Sequence, residues 1–234
     1  MSWQTRSPEK ELLDNEHIPF ADLLVNLDEL RMINTWLGGH KVTRKGLGYF
    51  LPKTQSTQPI SIAEIGCGGG DNLFAIEKYL GHKKRPFRLT GIDLKQECIK
   101  YARANSTSDI EWICSDYRDL QWPAGKPDVI FSSLFCHHFT DEELVEQLQW
   151  LRDNSKMGFF INDLHRHPLA YHSIGIITKL FSRSYLVRND APLSVKRSFV
   201  RQDWQAILSK AGIKEYALNW RWAFRYLICV QNEQ

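Results

Sequence analysis

The stretch Ala63-Glu64-Ile65-Gly66-Cys67-Gly68-Gly69-Gly70-Asp71-Asn72-Leu73 constrains the fold more than any other part of this chain. An apolar run at 60–65 ends in a cluster of glycines, and a helix-forming run follows. Glycine at a strand-to-helix junction permits a tight turn and lets a ligand approach the backbone. The spacing is E-x-G-x-G-x-G, which differs from the GxGxxG fingerprint that seats a pyrophosphate at a helix N-terminus. A carboxylate at Glu64 would repel a pyrophosphate and suits a cationic group. No GxxxxGK[ST] sequence occurs, so a P-loop nucleotide hydrolase is excluded.

The rest of the chain supports a sheet around that junction. Strand-like apolar runs fall at 60–65, 87–92, 110–114, 128–134 and 156–162. Helical patterns fall between them at 72–80, 97–104 and 141–151. Thr140 with Glu143 three residues on is a capping box that starts the third of these. Near-continuous apolar strands alternating with helices predict a parallel sheet covered on both faces. Two late strands, 213–218 and 223–230, joined by Asn219-Trp220-Arg221-Trp222, predict a C-terminal hairpin that adds an antiparallel edge. Between them and the fifth strand lie a helix at 168–181, a basic loop-like segment at 182–198 and a helix at 202–211. Residues 164–200 are expected to cap the carboxyl ends of the strands. Residues 1–59 read as an N-terminal helical segment packed ahead of a main domain at 60–234. Leu23, Leu24, Leu27, Leu30, Ile33 and Leu37 recur at helical spacing before Gly38-Gly39, and 53–59 is a polar loop.

Two further motifs fall at strand ends, where ligands bind in open α/β sheets. Gly91-Ile92-Asp93-Leu94 places a carboxylate where it can accept hydrogen bonds from both hydroxyls of a ribose. Cys114-Ser115-Asp116-Tyr117 places an acid and a ring where they can meet a purine.

Together these residues resemble the class I S-adenosylmethionine-dependent methyltransferases. The resemblance rests on 64–70, Asp93, Asp116-Tyr117 and the run 127–134 followed by Phe135-Cys136-His137-His138-Phe139, and it covers roughly residues 60–163 and the closing hairpin. It implies an α/β, Rossmann-like, seven-stranded and mostly parallel sheet with an antiparallel C-terminal hairpin. It also implies S-adenosyl-L-methionine as cofactor, with Glu64, Gly66, Cys67, Gly68, Asp93, Leu94, Asp116, Tyr117 and Ser132 around it, and Ser133 beside Ser132 near its methionine portion. The fourth strand lacks the Asn/Asp-Pro-Pro-Tyr/Phe ending of enzymes that methylate adenine, and no Pro-Cys nucleophile of cytosine enzymes is present. The segment 163–171 and the run 189–197 resemble bacterial methyltransferases of polyketide and phenolic secondary metabolism.

The expected reaction is methyl transfer to the hydroxyl of a phenolic or polyketide-type small molecule. C-methylation of a quinone precursor and RNA methylation are the alternatives, and a cofactor-binding protein without turnover is a third. A histidine titrates near neutrality and can take a phenol's proton. His165 is the favoured base, oriented by Asp163, with His138 second. Arg166 and His137 are expected to touch the substrate. No metal is expected: Asn162 and Asp163 form a pair without a third ligand.

Composition narrows the partners. The 234 residues carry a net charge of +3, too little to argue for nucleic acid. No apolar run approaches the roughly 18 residues of a membrane span. The first ten residues contain no apolar core for a secretory signal. Five cysteines without a CxxC pair read as free thiols of a reducing compartment, so a cytoplasmic enzyme is expected. The expected partners are a small molecule and, at most, a second copy of the chain.

Overall fold

Seven strands form one sheet in the order β3-β2-β1-β4-β5-β7-β6. The computed structural model describes residues 3–15, 17–51, 58–123 and 125–232. The strands are β1 (Ile60–Ile65), β2 (Phe87–Asp93), β3 (Glu111–Cys114), β4 (Val129–Ser133), β5 (Gly158–Leu164), β6 (Ala217–Arg221) and β7 (Arg225–Gln231). The first five pair in parallel, and β7 runs antiparallel to both β5 and β6. The Rossmann-like sheet with its reversed C-terminal pair is therefore the expected one.

The central strands are apolar throughout because helices cover both faces. Every residue of β4 is buried, as is all of β5 up to its last residue. Phe131 on β4 stacks on Phe160 of β5 with ring centres 4.8 Å apart. On one face lie α5 (Asp141–Asn154) and α8 (Arg201–Lys210), packed on Ile130, Phe159, Ile161 and Ile228. On the other lie α2 (Gly39–Gly48), α3 (Asp71–His82) and α4 (Gln96–Asn105), over Ile62, Phe131, Phe160 and Leu227. The capping box at Thr140 forms, with Glu143 N donating to Thr140 Oγ1 and Thr140 N donating to Glu143.

Ahead of β1, α1 (Phe20–Trp36) carries the leucine pattern, and Gly38 turns the chain directly into α2. Residues 53–57 of the expected polar loop lie outside the described residues. After β5 come α6 (Pro168–Phe181) and α7 (Tyr185–Arg197), which pack on each other. The helix α7 corrects the expectation of a loop at 182–198. Ser184 caps it by accepting from Val187 N, and Leu186, Val187, Leu193 and Val195 are buried. Pro192 lies inside it, and with Asn189-Asp190 it gave the segment the look of a turn. The hairpin is also displaced. Asn219, Trp220 and Arg221 belong to β6 rather than to its connection, paired with Leu227, Tyr226 and Arg225. As an edge strand, β6 is only partly buried and carries no apolar run to mark its start.

The N-terminal segment crosses the molecule and is fastened by three arginines. Arg6 donates to the carbonyls of Arg197 and Phe139 and pairs with Asp141. Arg166 donates to the carbonyls of Trp3, Gln4 and Ser198 and pairs with Asp203 at 2.9 Å. Arg197 donates to the carbonyls of Glu9, His137 and His138. Residues 12–14 form a short 3₁₀ turn whose first two amides, Leu12 N and Leu13 N, donate to Asp190 of α7.

Candidate active site

A cavity of about 420 Å³ opens at the carboxyl ends of β1, β2 and β4. Its floor is the glycine loop. Gly66 and Gly68 sit at φ +64° and +51°, a region that side chains disfavour. A Cβ on Gly66 would stand 2.2 Å from the ring of Phe135, whereas one on Gly68 would meet only Leu27, at 4.0 Å. The loop is thus packed from behind at Gly66 and open to the cavity at Gly68.

The carboxylates around the loop are arranged differently from one another. Asp93 accepts from Gly68 N at 2.8 Å and from Lys95 N at 2.9 Å, one bond on each oxygen. Each oxygen keeps a further lone pair. Burial raises the Asp93 pKa above the usual carboxylate range despite those bonds. Glu64 is 1% exposed, and neither of its oxygens has a hydrogen-bond partner. Burial, followed by the nearby Asp71 and Asp93 carboxylates, raises its pKa well above the ordinary value against the opposing pull of the Asn72 side chain. A buried, unpartnered carboxyl group is costly, and here it faces a cavity. Asp71, at the start of α3, is held by Asn34 Nδ2 at 2.7 Å and His40 at 2.6 Å. Asp116 is clamped by Arg118, whose side chain and amide both donate to it, and this pairing lowers its pKa. Tyr117 is buried, its ring 5.0 Å from that of Trp150.

Of the residues singled out in the sequence, Glu64, Gly66, Cys67, Gly68, Asp93, Leu94, Asp116, Tyr117 and His138 line this cavity together. Ser132 does not. Its hydroxyl points to the other face of the sheet, 3.5 Å from Cys136 Sγ, and the next residue, Ser133, lines the cavity instead. A strand alternates faces, so a one-residue offset reverses the side chain.

His165 and Arg166 also lie away from the cavity wall. The His165 ring is packed among His167, Phe224 and Tyr226, and its Nδ1 accepts from Trp220 Nε1 at 3.2 Å. Burial, then the charges of His167 and Arg166, lower its pKa to about 4. Arg166 is buried and spends its donors on the N-terminal segment and Asp203. His137 is buried behind the wall, with Nδ1 2.8 Å from Asp163 Oδ1. His138 Nδ1 lies 2.9 Å from Asp14 Oδ1, and both residues line the cavity.

Sequence reading missed the N-terminal contribution. Leu13 and Asp14 from the 3₁₀ turn, and Leu27, Leu30, Arg31 and Asn34 from α1, complete the wall. Glu11 is 3% exposed beside both histidines, and burial, partly offset by His138 and Ser194, raises its pKa to about 7. Nothing in the polar run Ser7-Pro8-Glu9-Lys10-Glu11 announces this. The α1 side could have been read from the leucine stripe, since Leu23 and Leu27 share its buried face while Leu30 and Asn34 follow at helical spacing.

Residues 62–158 match the family model of a methyltransferase domain. The matched stretch carries the glycine loop, Asp93 and Asp116-Tyr117, and the seven-stranded sheet around it has the class I S-adenosylmethionine-dependent methyltransferase fold. Solved structures share its fold. The plantazolicin methyltransferase BpumL, solved with SAH, is 19% identical with a TM-score of 0.66, over 91% of this chain and 90% of that one. Human N-acetylserotonin methyltransferase, solved with SAM, is 16% identical with a TM-score of 0.67, over 97% of this chain and 61% of that one. Magnesium protoporphyrin IX methyltransferase from Synechocystis PCC 6803, solved with SAH, is 13% identical with a TM-score of 0.51, over 94% and 90%. No curated protein matches the chain. The residues present suit the cofactor that names the class. Glu64 is a buried carboxylate without a partner, and the backbone at Gly68 is bare toward the cavity.

Proposed function

We propose that this chain transfers a methyl group from S-adenosyl-L-methionine to the hydroxyl of a phenolic or polyketide-type small molecule. The orphaned Glu64 carboxylate carries the reading, because it faces the cavity that also holds Asp93 and the glycine loop. When bound, the cofactor supplies an electrophilic methyl on a sulfonium. Glu64 would meet its ammonium or sulfonium charge, Asp93 would accept from the ribose hydroxyls, and Gly66 and Gly68 would let the backbone come close. Asp116, which Arg118 shares, and Tyr117 would border the adenine. Ser133 takes the place expected of Ser132.

Leu13, Leu30, Leu134 and Phe139 add apolar side chains to the cavity wall, and the acceptor ring is assigned to them. His138 and Asp14 are the polar pair there. An oxygen lone pair forms the new O–CH₃ bond as the S–CH₃ bond breaks, and the hydroxyl proton is lost toward His138. A phenol is about one part in a thousand ionised at neutral pH, so that loss has to be assisted. Such a displacement needs the two reacting atoms near ~3 Å in line, and walls that enforce this would supply several kcal/mol. The relatives in fold are named for plantazolicin, N-acetylserotonin and magnesium protoporphyrin IX, which supports a small-molecule acceptor. Four of the five free cysteines are buried, which accords with a cytoplasmic enzyme of secondary metabolism.

The test is turnover on a panel of phenols and enolic polyketides, with the methyl position read by mass spectrometry and NMR. O-methyl products are expected. C-methyl products alone would overturn the hydroxyl assignment. His138→Ala should cut turnover at least a hundredfold, and His165→Ala should leave it within about twofold. The reverse pattern would restore His165 as the base.

A further inference from the structure

His137 and His138 are adjacent in sequence, yet each turns the same nitrogen away to a carboxylate. His137 Nδ1 lies 2.8 Å from Asp163 Oδ1, and His138 Nδ1 lies 2.9 Å from Asp14 Oδ1. Both remaining nitrogens then converge on a third carboxylate. His137 Nε2 is 3.6 Å from Glu11 Oε1, and His138 Nε2 is 3.9 Å from Glu11 Oε2. These separations exceed the 2.7–3.2 Å of an N–H···O bond. They approach the edge of a tetrahedron built on metal–ligand bonds of about 2.0–2.2 Å, which is roughly 3.4 Å. The ligand atoms of the three residues lie within 4.8 Å of one another.

We propose that Glu11, His137 and His138 form a two-histidine, one-carboxylate site for a divalent transition-metal ion such as Zn²⁺. Metal-bound imidazoles almost always donate their other N–H to a carboxylate, which fixes the tautomer and leaves a lone pair for the ion. Both histidines here have that arrangement. Two imidazoles and a carboxylate favour zinc, iron or cobalt over calcium and magnesium, which prefer oxygen. The local charge also suits a dication. Glu11, Asp14 and Asp163 supply three carboxylates, against which stand the Arg197 guanidinium, 3.9 Å from Glu11 and 3.4 Å from Asp14, and Arg225 on the Asp163 side. Ser194 Oγ donates to Glu11 Oε1 at 2.8 Å, which leaves Oε2 the freer ligand atom. The expectation of a metal-free enzyme rested on Asn162 and Asp163. Asp163 instead orients a histidine, and the third ligand comes from the far N-terminal segment.

The site touches the cavity through His138, so its role toward the acceptor rests on the reading above. With the ion bound, His138 Nε2 is a ligand and no longer a base, and the ion would instead acidify the acceptor hydroxyl as a Lewis acid. Binding of the ion does not rest on that reading.

The test uses the full chain, stripped with a chelator and titrated calorimetrically with ZnCl₂. One ion per chain is expected with Kd micromolar or tighter, and Co²⁺ should give visible bands of nitrogen and oxygen ligation. Glu11→Gln and His138→Gln, each confirmed as folded by circular dichroism, should weaken binding at least a hundredfold. His165→Ala should not. Failure of the folded wild-type chain to bind Zn²⁺, or binding unchanged in both variants, would overturn the site. Stoichiometric binding lost in the variants, in a protein that methylates no phenol, sinks the acceptor reading and supports the site.

Discussion

Asp163, at the end of β5, accepts a hydrogen bond from the ring of His137 in the turn after β4, with both side chains at most 3% exposed. The same carboxylate accepts from Leu164 N at 2.7 Å, Cys136 N at 2.8 Å and Phe135 N at 3.2 Å. Burial alone would raise its pKa, but His137 and the amide donors hold it below the usual value. One buried anion therefore joins two neighbouring strand ends. Asp163→Asn keeps the volume but turns an NH₂ toward N–H groups. Breaking such a buried pair costs about 3–5 kcal/mol. Urea unfolding should show a loss in that range, and a loss under 1 kcal/mol would mean that the turn is held by packing.

How much of this was legible in the sequence differs from residue to residue. Glu64, the glycines and Asp93 lie at or just beyond the carboxyl ends of two neighbouring strands, and local spacing places all of them. Thr140 and Glu143 are equally local. Asp163 was also visible beside His165, yet its partner is His137. A strand fixes which face a side chain takes, and one position's error carries Ser132 to the wrong side. Glu11 and Asp14 reach the site through pairings far along the chain, with Arg6, Arg166, Arg197 and Asp190, and such long-range pairings leave no periodic trace.

Arg166 illustrates the consequence. Its guanidinium spans Trp3 O, Gln4 O, Ser198 O and Asp203. A lysine keeps the charge but lacks the planar fork. Arg166→Lys should loosen residues 3–15, which hydrogen exchange would show as faster amide exchange there. Turnover should fall about tenfold, chiefly through KM, since Leu13 and Asp14 line the cavity. Unchanged exchange in the segment would sink the argument.

Gly66→Ala adds a methyl 2.2 Å from Phe135 at a φ of +64°. Strain at such a position costs about 1–3 kcal/mol before any clash. Calorimetry should show cofactor affinity reduced at least tenfold, because the ring can yield only by moving the loop. Wild-type affinity would mean that Phe135 is free to swing aside.

Asp93→Ala removes the acceptor for Gly68 N as well as the one assigned to the ribose. Hydrogen bonds to a charged group are worth about 1.5–3 kcal/mol each. Affinity for S-adenosylmethionine should drop at least tenfold with the fold retained. An unaffected titration would put the ribose elsewhere.

Glu64 gives the sharpest dependence on pH. Its pKa is raised in the folded protein, first by burial and then by Asp71 and Asp93. Between its unfolded and folded pKa the native state holds a proton that the unfolded chain has lost. This group's contribution to folding stability is therefore full below the unfolded pKa and declines as pH rises through the folded one. A cationic cofactor favours the ionised form, so binding should expel a proton and tighten as pH rises across that window. Glu64→Gln removes the proton and the charge together. It should weaken binding roughly tenfold at high pH and flatten the pH slope. Without cofactor, the variant should also unfold at a higher temperature than the wild type in alkaline buffer. Calorimetry in buffers of differing ionisation enthalpy counts the released proton directly. A variant that keeps the wild-type slope and proton count would assign the titration to Asp93, and Glu64 would then be an inert neutral acid in the cavity wall.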